Sequence, residues 1–494
     1  DLNMAFLIGG ANSAADTGYD VDNSCLFNDD DSAFMHKTPG SSSATKLWTF
    51  SCWIKLGNIK NSYHAIFSAF TGSSDQYNVV GLDGSNRVIF VSMDEGSGGV
   101  MNVISSAMLR DPSAWYHIVT AYDSAQGTAA NRVKGYINGV QCSSFSTETY
   151  PDQNKDGYIN SDNQHNVGKR WNANYFDGYM AEVVFIDGTA YAASDFGEFS
   201  EDSPTIWMPK DVSGLTFGTN GFYLDFKASD NLGNDANGGT DLTESALAAT
   251  DQANDVPTNN FCVMNTLDKY WPTTGTAPAF SQGNLLVVGG SGSNSSTGYS
   301  YYTSTFGLAA GKWYWEVHIT DIPAGGGQSL VGIIDVTQRY NQNLGEIVNA
   351  TGIAWGIKNN GHVFNNNQGA AAETGTFAEG DTVGIALDIT NSKMYFSKGG
   401  AWSDGNEAWD STTFNASVGA VDITAVGSTH NGYWFVTVGG TEYSATTTWT
   451  LNFGSPVISI SSGNADENGY GNFEYAVPDG FLAICTKNLG SDGG

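Results

Sequence analysis

The run DQNKDGYINSD, at residues 152–162, has the residue types and spacing of a calcium-binding loop. Calcium takes six to eight oxygen ligands, and a tight glycine turn, here at Gly157, lets alternate side chains converge on one ion. The pattern departs from the standard loop at its last position, where Asn163 replaces a bidentate Glu. The sequence predicts a calcium ion here, and the alternative is a solvated turn of Asp, Asn and Gly. The predicted ligands are Asp152, Asn154, Asp156, the carbonyl oxygen of Tyr158, and Asp162.

Four aromatic residues lie in turn-rich stretches of the sequence, where no strand pattern assigns them to a hydrophobic core. They are Trp171 and Tyr175 in GKRWNANYFDG, and Trp402 and Trp409 in GGAWSDGNEAWD. Aromatic rings offer flat apolar faces to a ligand, while nearby Asn, Asp and Ser supply hydrogen bonds with little charge. We predict that these four residues contact a glycan or a protein ligand; the alternative is that they pack within the fold.

Catalysis finds little support in the sequence. None of the seven histidines neighbours a nucleophile motif such as GxSxG, and His117 and His318 lie inside strand-like runs, which favours structural roles. Glycoside hydrolysis needs a pair of carboxylates, yet Glu182 and Glu316 stand alone in their strands. The sequence therefore predicts a protein that is not an enzyme.

Composition excludes several classes of protein. The 494 residues include 51 acidic and 20 basic side chains, for a formal charge of −31. Such a charge repels nucleic-acid backbones and anionic membranes, so neither is predicted as a partner. No apolar run is long enough for a membrane span, so no membrane insertion is predicted either. Aromatics make up 13% of the chain, charged residues only 14%, and glycine 61 positions, which disfavours both disorder and helices. An all-β protein remains.

Short runs of β-branched and aromatic residues, bounded by Gly, Asn, Asp or Ser, predict strands in two stretches of the chain. WTFSCWIKL alternates apolar and polar side chains with the period of a strand, and IALDITNSKMYFS and GIKNNGHVF predict β-hairpins. Residues 201–266 are rich in Asp, Asn and Gly and predict an irregular bridging segment. We therefore predict two antiparallel β-sandwiches, at 1–200 and 267–490, joined by this segment.

Each predicted sandwich resembles a known family. WTFSCWIKLG, AWYHIVTAYDS, KGYINGVQ and NVGKRWNANYFDGYMAEVVFIDG follow one another in the first stretch, which resembles the laminin-G/pentraxin-like jelly roll of the concanavalin A-like group. The other stretch contains GKWYWEVHI, VGIIDV, GIAWGIKNNGHVFNN and EGDTVGIALDITNSKMYFSKGGAW, and resembles a SPRY domain. The resemblance implies two concanavalin A-like sandwiches, the second binding partners through loops at one rim, to which residues 402–409 would belong.

The order of the two modules, with FYLDF and ATDQANDVPTNNFCVMNTLD between them, resembles large structural proteins of marine bacteriophages, of the tail-fibre or appendage kind. This resemblance implies a virion protein, assembled in the host cytoplasm and exposed on the particle, that attaches to a host-surface glycan or protein. Other virion proteins and further copies of the chain, as a homo-oligomer, are the implied partners. Two alternatives stay open: a capsid decoration or head-fibre protein with a structural role, and a secreted bacterial adhesin.

Overall fold

The computed structural model describes residues 19–59, 62–73, 76–95, 99–171, 173–201, 203–271, 275–291, 299–323, 328–335, 354–365, 368–372, 374–423, 432–441 and 446–492. Across these ranges the chain forms extended, mainly antiparallel sheets, which confirms the predicted all-β fold. No helix in the described ranges has both the length and the apolar character needed to cross a bilayer. The described chain divides into a first unit, ending at Asn260, and a second unit, beginning at Phe261.

In the part of the first unit that the structure describes, there are eighteen strands and three short 3-10 helices. The helices are Ala129–Asn131, Ala193–Asp195 and Ala249–Asp251. The strands are β1 (Ser24–Phe27), β2 (Phe34–Lys37), β3 (Leu47–Leu56), β4 (His64–Phe70), β5 (Gln76–Leu82), β6 (Arg87–Glu95), β7 (Gly99–Met108), β8 (Trp115–Asp123), β9 (Val133–Ile137), β10 (Val140–Gln141), β11 (Phe145–Thr149), β12 (Gln164–Val167), β13 (Gly178–Asp187), β14 (Gly197–Phe199), β15 (Trp207–Pro209), β16 (Phe222–Leu224), β17 (Thr243–Ser245) and β18 (Gln252–Ala253).

Among the described residues of the first unit, two eight-stranded sheets enclose a shared hydrophobic core. The first has the order β10-β9-β8-β3-β13-β1-β18, with β16 paired to β13, and the second has the order β11-β7-β6-β5-β4-β12-β2-β17. Strands β14 and β15 form a separate ribbon. Phe50 of the first sheet and Phe67 of the second stack with ring centroids 4.7 Å apart. The alternation predicted from the sequence therefore places one face of each sheet in a shared core.

Much of the predicted bridging segment belongs to the first unit. Its strand β16 pairs with β13, β17 pairs with β2, and β18 pairs with β1, so the segment extends both sheets. Phe222 and Leu224 are buried in the core. The structure thus moves the end of the first unit from residue 200 to residue 260, because these short strands complete sheets whose other strands lie far away in sequence.

Among its described residues, the second unit contains seventeen strands and one α-helix, α1 (Thr486–Asp492). The strands are β19 (Met264–Tyr270), β20 (Ala279–Ser281), β21 (Leu286–Val288), β22 (Tyr299–Leu308), β23 (Lys312–Asp321), β24 (Gln328–Asp335), β25 (Ala354–Lys358), β26 (His362–Asn365), β27 (Gln368–Ala372), β28 (Thr382–Asp388), β29 (Lys393–Lys398), β30 (Ala401–Ser403), β31 (Trp409–Ser411), β32 (Val421–Asp422), β33 (Trp434–Thr441), β34 (Thr448–Asn452) and β35 (Leu482–Ala483).

The second unit is also built from two facing sheets. One has the order β19-β22-β33-β24-β25-β26-β27; the other has the order β20-β21-β34-β23-β28-β29-β30-β31, with β32 paired to β29 and β35 paired to β23. Both predicted hairpins are present, as the pairs β25–β26 and β28–β29. Trp313, Trp315 and Trp449 are buried in the core between the sheets.

Candidate functional site

The outer face of the second sheet of the first unit carries a pocket over strands β4 to β7. Side chains alternate across the sheet, so Met93 and Met101 enter the core while Tyr77, Ser92 and Asn102 emerge on the opposite face. The cavity measures about 330 Å³. We call it the outer-face pocket. Its polar and aromatic wall is formed chiefly by Tyr63, Tyr77, Asp94, Asn102, Arg170 and Asn174.

Two buried polar atoms of the outer-face pocket have no hydrogen-bond partner among the described residues. The guanidinium carbon of Arg170 lies 4.9 Å from the ring centroid of Tyr77, a cation–π stack that fixes the plane of the arginine. Arg170 Nε and Asn102 Oδ1 are buried, and within the described part of the chain neither makes a hydrogen bond. Buried polar atoms are rarely left unpaired, so this donor and this acceptor are suited to a bound polar ligand.

The loop between β12 and β13 supplies one rim of the outer-face pocket. Asn174 has a left-handed φ of 58°, and its carbonyl oxygen accepts a hydrogen bond from the backbone nitrogen of Ala65 at 3.0 Å. This contact ties the loop to β4. Within the loop, the backbone nitrogen of Arg170 donates a hydrogen bond to the carbonyl oxygen of Ala173 at 3.2 Å. The loop is therefore held so that both Arg170 and Asn174 reach the pocket wall.

The predicted residues Trp171 and Tyr175 belong to this same loop, but the structure brings Arg170 and Asn174, not them, to the wall. Trp171 is half-buried, and its indole nitrogen is buried without a hydrogen bond to the described residues. Tyr175 packs near Phe34, with ring centroids 6.3 Å apart. The loop predicted from the sequence therefore borders a pocket, and direct ligand contact by Trp171 and Tyr175 stays a prediction.

A second cavity, of about 100 Å³, lies in the second unit beside strands β29 to β31. Its aromatic rings meet nearly perpendicularly. The ring centroid of Phe414 lies 5.0 Å from the ring centroids of Trp402 and Tyr395, and the interplanar angles are 72° and 79°. Asp404 and Asp410 also line it. We call it the aromatic pocket. It contains the predicted residue Trp402, which is 7% exposed.

Trp409 fixes the loop before β28. Its indole nitrogen donates to the Thr376 carbonyl oxygen at 2.9 Å, and a methyl group added to Gly375 would overlap the Trp409 ring. The side chain is half-buried against the core of the second unit. Of the predicted pair, Trp402 lines the aromatic pocket, and Trp409 positions the strand from which Asp410 reaches it.

Two carboxylates of the predicted calcium loop have protein partners. Asp156 Oδ1 accepts a hydrogen bond from Thr45 Oγ1 at 2.5 Å, and Asp156 Oδ2 lies 3.5 Å from Lys46 Nζ. Asp162 Oδ1 accepts a hydrogen bond from Ser42 Oγ at 2.9 Å. Calcium would compete with these contacts for the oxygens it needs.

The remaining predicted ligands do not complete a cation cage. Asp152 and Asn154 are exposed, and the carbonyl oxygen of Tyr158 accepts a hydrogen bond from Ser161 Oγ at 2.5 Å. Within the described ranges, no group of three or more His, Cys, Asp or Glu side chains is arranged to hold a metal ion. The residues present do not fit calcium in this arrangement, and the site stays a prediction from the sequence.

His117 makes a serine–histidine contact that lacks the surroundings of a catalytic pair. His117 Nε2 lies 2.8 Å from Ser51 Oγ, and Nδ1 accepts a hydrogen bond from Trp207 Nε1 at 2.9 Å, which places the ring proton on Nε2. Burial lowers the pKa of His117 to about 3, and the side chain is sealed from solvent. A neutral, inaccessible imidazole holds Ser51 and Trp207 together and offers no base to a substrate.

Glu182 and Glu316 each lie buried in a separate unit. Burial raises the pKa of Glu182 to about 7, although the hydroxyl groups of Tyr19 and Tyr223 donate to its carboxylate at 2.8–2.9 Å. Glu316 accepts hydrogen bonds from the backbone nitrogens of Glu474 and Tyr475, and burial raises its pKa as well. Their hydrogen bonds give both carboxylates a structural role.

Sequence reasoning missed the outer-face pocket because its residues alternate with core residues. QYNVVGL, RVIFVSMDE and GVMNVISSAM read as ordinary strands whose outward positions face solvent. The available signal was the chemistry of those outward positions, where Tyr77, Asp94 and Asn102 lie on neighbouring strands. Only the strand order reveals that they converge.

Two family models match the chain. Residues 29–193 match the concanavalin A-like lectin/glucanases superfamily, in its laminin G type, and residues 312–420 match the SPRY domain. The lining residues of the outer-face pocket lie inside the first match, and those of the aromatic pocket lie inside the second. The chain therefore contains a concanavalin A-like domain of the laminin G type and a SPRY domain, one in each unit.

Several solved structures are similar to parts of the chain. The SPRY domain of human HERC1 is 17% identical, with a TM-score of 0.27, over 36% of this chain and 94% of that one. The heptameric SAP-like pentraxin of Limulus polyphemus is 15% identical, with a TM-score of 0.26, over 36% and 80%. A human SPRY domain is 14% identical, with a TM-score of 0.24, over 38% and 99%. Comparison with curated proteins finds no match.

Proposed function

We propose that this chain is a non-catalytic binding protein whose outer-face pocket holds a glycan. The observation that carries the proposal is the wall of that pocket, where tyrosine rings, amide side chains and one arginine converge. The lectin-containing superfamily matched by residues 29–193 supports it. Tyr77 and Tyr63 offer faces for a sugar ring, and Asn102 Oδ1 and Arg170 Nε supply an acceptor and a donor for its hydroxyl groups.

A glycan-array screen of the whole protein tests this proposal, followed by titration calorimetry with the strongest oligosaccharide. Tyr77→Ala should weaken binding about tenfold or more, because the variant loses both a stacking face and the support of Arg170. Tyr136→Ala is the matched control: it removes a half-buried aromatic ring from β9, in the other sheet of the unit and off the pocket wall, and should bind as wild type. The absence of any glycan ligand, or equal losses in both variants, would contradict the proposal.

The setting we propose is the surface of a virion, with the chain as part of a fibre or appendage that attaches to a host cell. The resemblance in module order to phage structural proteins supports this setting. Single sugar contacts are weak, so attachment would use several copies, which suits a homo-oligomer. The capsid decoration role and the secreted adhesin are the competing settings.

Antibody-gold labelling of purified virions, imaged by electron microscopy, separates these settings. Label on fibres supports attachment, and label over the head shell supports decoration. An absence of label on particles, with label on bacterial surfaces, supports the adhesin. The glycan proposal is tested independently of this experiment.

A further inference from the structure

We propose that the side chains of Lys55 and Asn260 join in an intramolecular amide cross-link, with Asp255 carrying the protons. The proposal is independent of the glycan ligand and of the setting in which the protein works. It rests on the placement of the three side chains in the first unit, on the distances between them and on their burial.

Lys55 lies on the central strand β3 and points away from the core. Its neighbours Ile54 and Leu56 are buried in the core, so by alternation the lysine side chain emerges on the opposite face of the sheet. A lysine in such a position ordinarily reaches solvent, yet this side chain is only 1% exposed. The groups that cover it come from the end of the first unit.

A tight turn brings Asp255 and Asn260 to the same lysine. The backbone nitrogens of Val256 and Asn259 each donate to the other residue's carbonyl oxygen, at 3.2 and 3.0 Å. Asp255 and Asn260 flank this turn and therefore lie on the same side of it. Nζ of Lys55 lies 2.6 Å from Asp255 Oδ2 and 2.7 Å from Asn260 Oδ1.

Further hydrogen bonds hold the two partners of the lysine in place. Trp115 Nε1 donates to Asp255 Oδ1 at 3.0 Å, and Asn260 Nδ2 donates to the Ser113 carbonyl oxygen at 2.6 Å. The amide is thus oriented with its oxygen toward the lysine. Asp255 is 1% exposed and Asn260 is 6% exposed, so the three groups meet out of bulk water. Reacting groups held in such contact reach effective molarities of about 10⁵–10⁸ M.

The carboxylate of Asp255 is placed to free the lysine nitrogen for attack. An ammonium group has no lone pair, so Nζ must first pass a proton to a base that touches it. Burial in a medium of low dielectric constant penalises both charges of the pair, which favours transfer of a proton from Nζ to Asp255 Oδ2. The structure shows the state before reaction, in which the lysine and the acid form an ion pair.

The reaction exchanges one amide for another. The lone pair of Nζ forms a bond to Cγ of Asn260, and the bond between Cγ and Nδ2 breaks. Asp255 carries two protons in turn from Nζ to Nδ2, so the nitrogen leaves as ammonium and Asp255 ends as a carboxylate. We assign Asn260 as the acceptor because a neutral carboxamide is a better electrophile than a charged carboxylate. The reaction consumes no oxidant, metal or other co-reactant.

The cross-link closes a covalent ring through most of the first unit. Lys55 and Asn260 are 205 residues apart in the sequence. The bond joins a central strand to the last residue of the unit, so the unfolded chain can no longer extend fully.

The intact mass of the full chain, measured under denaturing conditions, tests the proposal. The mass should be lower than that of the sequence by one molecule of ammonia. Tandem mass spectrometry of a protease digest should find a branched peptide that joins the segment around Lys55 to the segment around Asn260. Both measurements use the wild-type protein, so neither depends on the folding of a variant.

Three variants and one control assign the roles. Lys55→Met, Asn260→Ala and Asp255→Asn should each abolish the loss of ammonia, because they remove the nucleophile, the acceptor and the base. Lys37→Met is the matched control: Lys37 lies 3.8 Å from the buried carboxylate of Asp235, and this variant should keep the cross-link. Circular dichroism checks that each variant folds.

Four results would overturn the proposal or one of its assignments. A folded wild-type protein with its full sequence mass would exclude the cross-link. A loss of ammonia that maps to a linear peptide would also exclude it, since an asparagine that closes a succinimide on its own backbone loses the same mass. A branched peptide that has lost water in place of ammonia would move the acceptor to Asp255. A cross-link that persists in Asp255→Asn would remove Asp255 as the proton carrier.

Discussion

At the scale of single residues, Glu182 is strained as well as buried. Its φ of 50° lies in the left-handed region, within an irregularity in the pairing of β13 with β3. Tyr19 and Tyr223 compensate by donating hydrogen bonds to its carboxylate. A non-glycine residue in this region persists only where its surroundings fix it, so the two tyrosines hold the bulge as well as the acid.

Glu182 should make the stability of the first unit depend on pH. Its folded pKa of about 7 lies above the ordinary value of 4.5, so the folded state binds the proton more tightly. The free energy of unfolding should therefore fall as the pH rises from about 4.5 to about 7, by at most about 3 kcal/mol, and level off above that. Urea titrations across this range, compared with Glu182→Gln, measure the effect. A difference between the two proteins that does not change with pH would contradict the assignment.

The loop at 152–162 gives a second residue-scale prediction, in which sequence pattern and geometry disagree. Because Asp156 and Asp162 already have partners, we expect calcium to leave the melting temperature unchanged. A site saturated a hundredfold above its Kd would stabilise the fold by about 2.7 kcal/mol, which calorimetry detects easily. A rise in melting temperature that Asp156→Asn abolishes would restore the calcium site predicted from the sequence.

At the scale of elements, the sequence predicted what depends on local pattern. The strand from Leu47 to Leu56 was recognisable by its alternation, and the β25–β26 hairpin by Asn360 and Gly361, where the φ of Gly361 is 84°. Strands β17 and β18 were not recognised as sheet strands. Their pairing depends on partners more than 200 residues earlier in the chain, a relation that no local pattern contains.

The end of the first unit is held by a buried ion pair. Lys55 Nζ lies 2.6 Å from Asp255 Oδ2, and each side chain is 1% exposed. Asn260 Oδ1 also accepts a hydrogen bond from the lysine, and Trp115 Nε1 donates to Asp255 Oδ1 at 3.0 Å. These contacts join the last residues of the unit to two central strands, β3 and β8.

Asp255→Ala should cost about 3–5 kcal/mol in the free energy of unfolding, because it leaves the charge of Lys55 buried without its carboxylate. Asp22→Ala is the control: Asp22 pairs with Lys227 at 3.5 Å, both side chains are more than 60% exposed, and removal should cost no more than about 1 kcal/mol. Chemical denaturation measures both. Similar losses of unfolding free energy in the two variants would show that the buried ion pair contributes no more to stability than the exposed one.

At the scale of the whole molecule, each unit has a large hydrophobic core of its own among the described residues. The boundary predicted from composition at residue 200 differs from the structural boundary at residue 260. A run rich in Asp, Asn and Gly reads as irregular, yet its few apolar residues, Phe222, Leu224 and Leu242 among them, are buried in the core. Composition averages over a segment, while burial is decided residue by residue.

The position of this boundary can be tested by truncation. A protein spanning residues 12–260 should fold with a single cooperative transition, whereas one spanning 12–200 should be largely unfolded. The shorter protein loses the buried side chains of Phe222, Leu224, Leu232 and Leu242, each contributing about 1.5–3 kcal/mol, against a total stability of about 5–15 kcal/mol. Circular dichroism during urea titration distinguishes the two. Equal stability would return the boundary to residue 200.

The late position of strands β17 and β18 has a consequence for synthesis on the ribosome. Strands β1 and β2 are synthesised early, but they gain their outer partners only when residues 243–253 have been made. At about 5–20 residues per second, the interval from residue 200 to residue 255 lasts about 3–11 s. During that time two unprotected sheet edges are exposed to neighbouring nascent chains, and such edges promote aggregation.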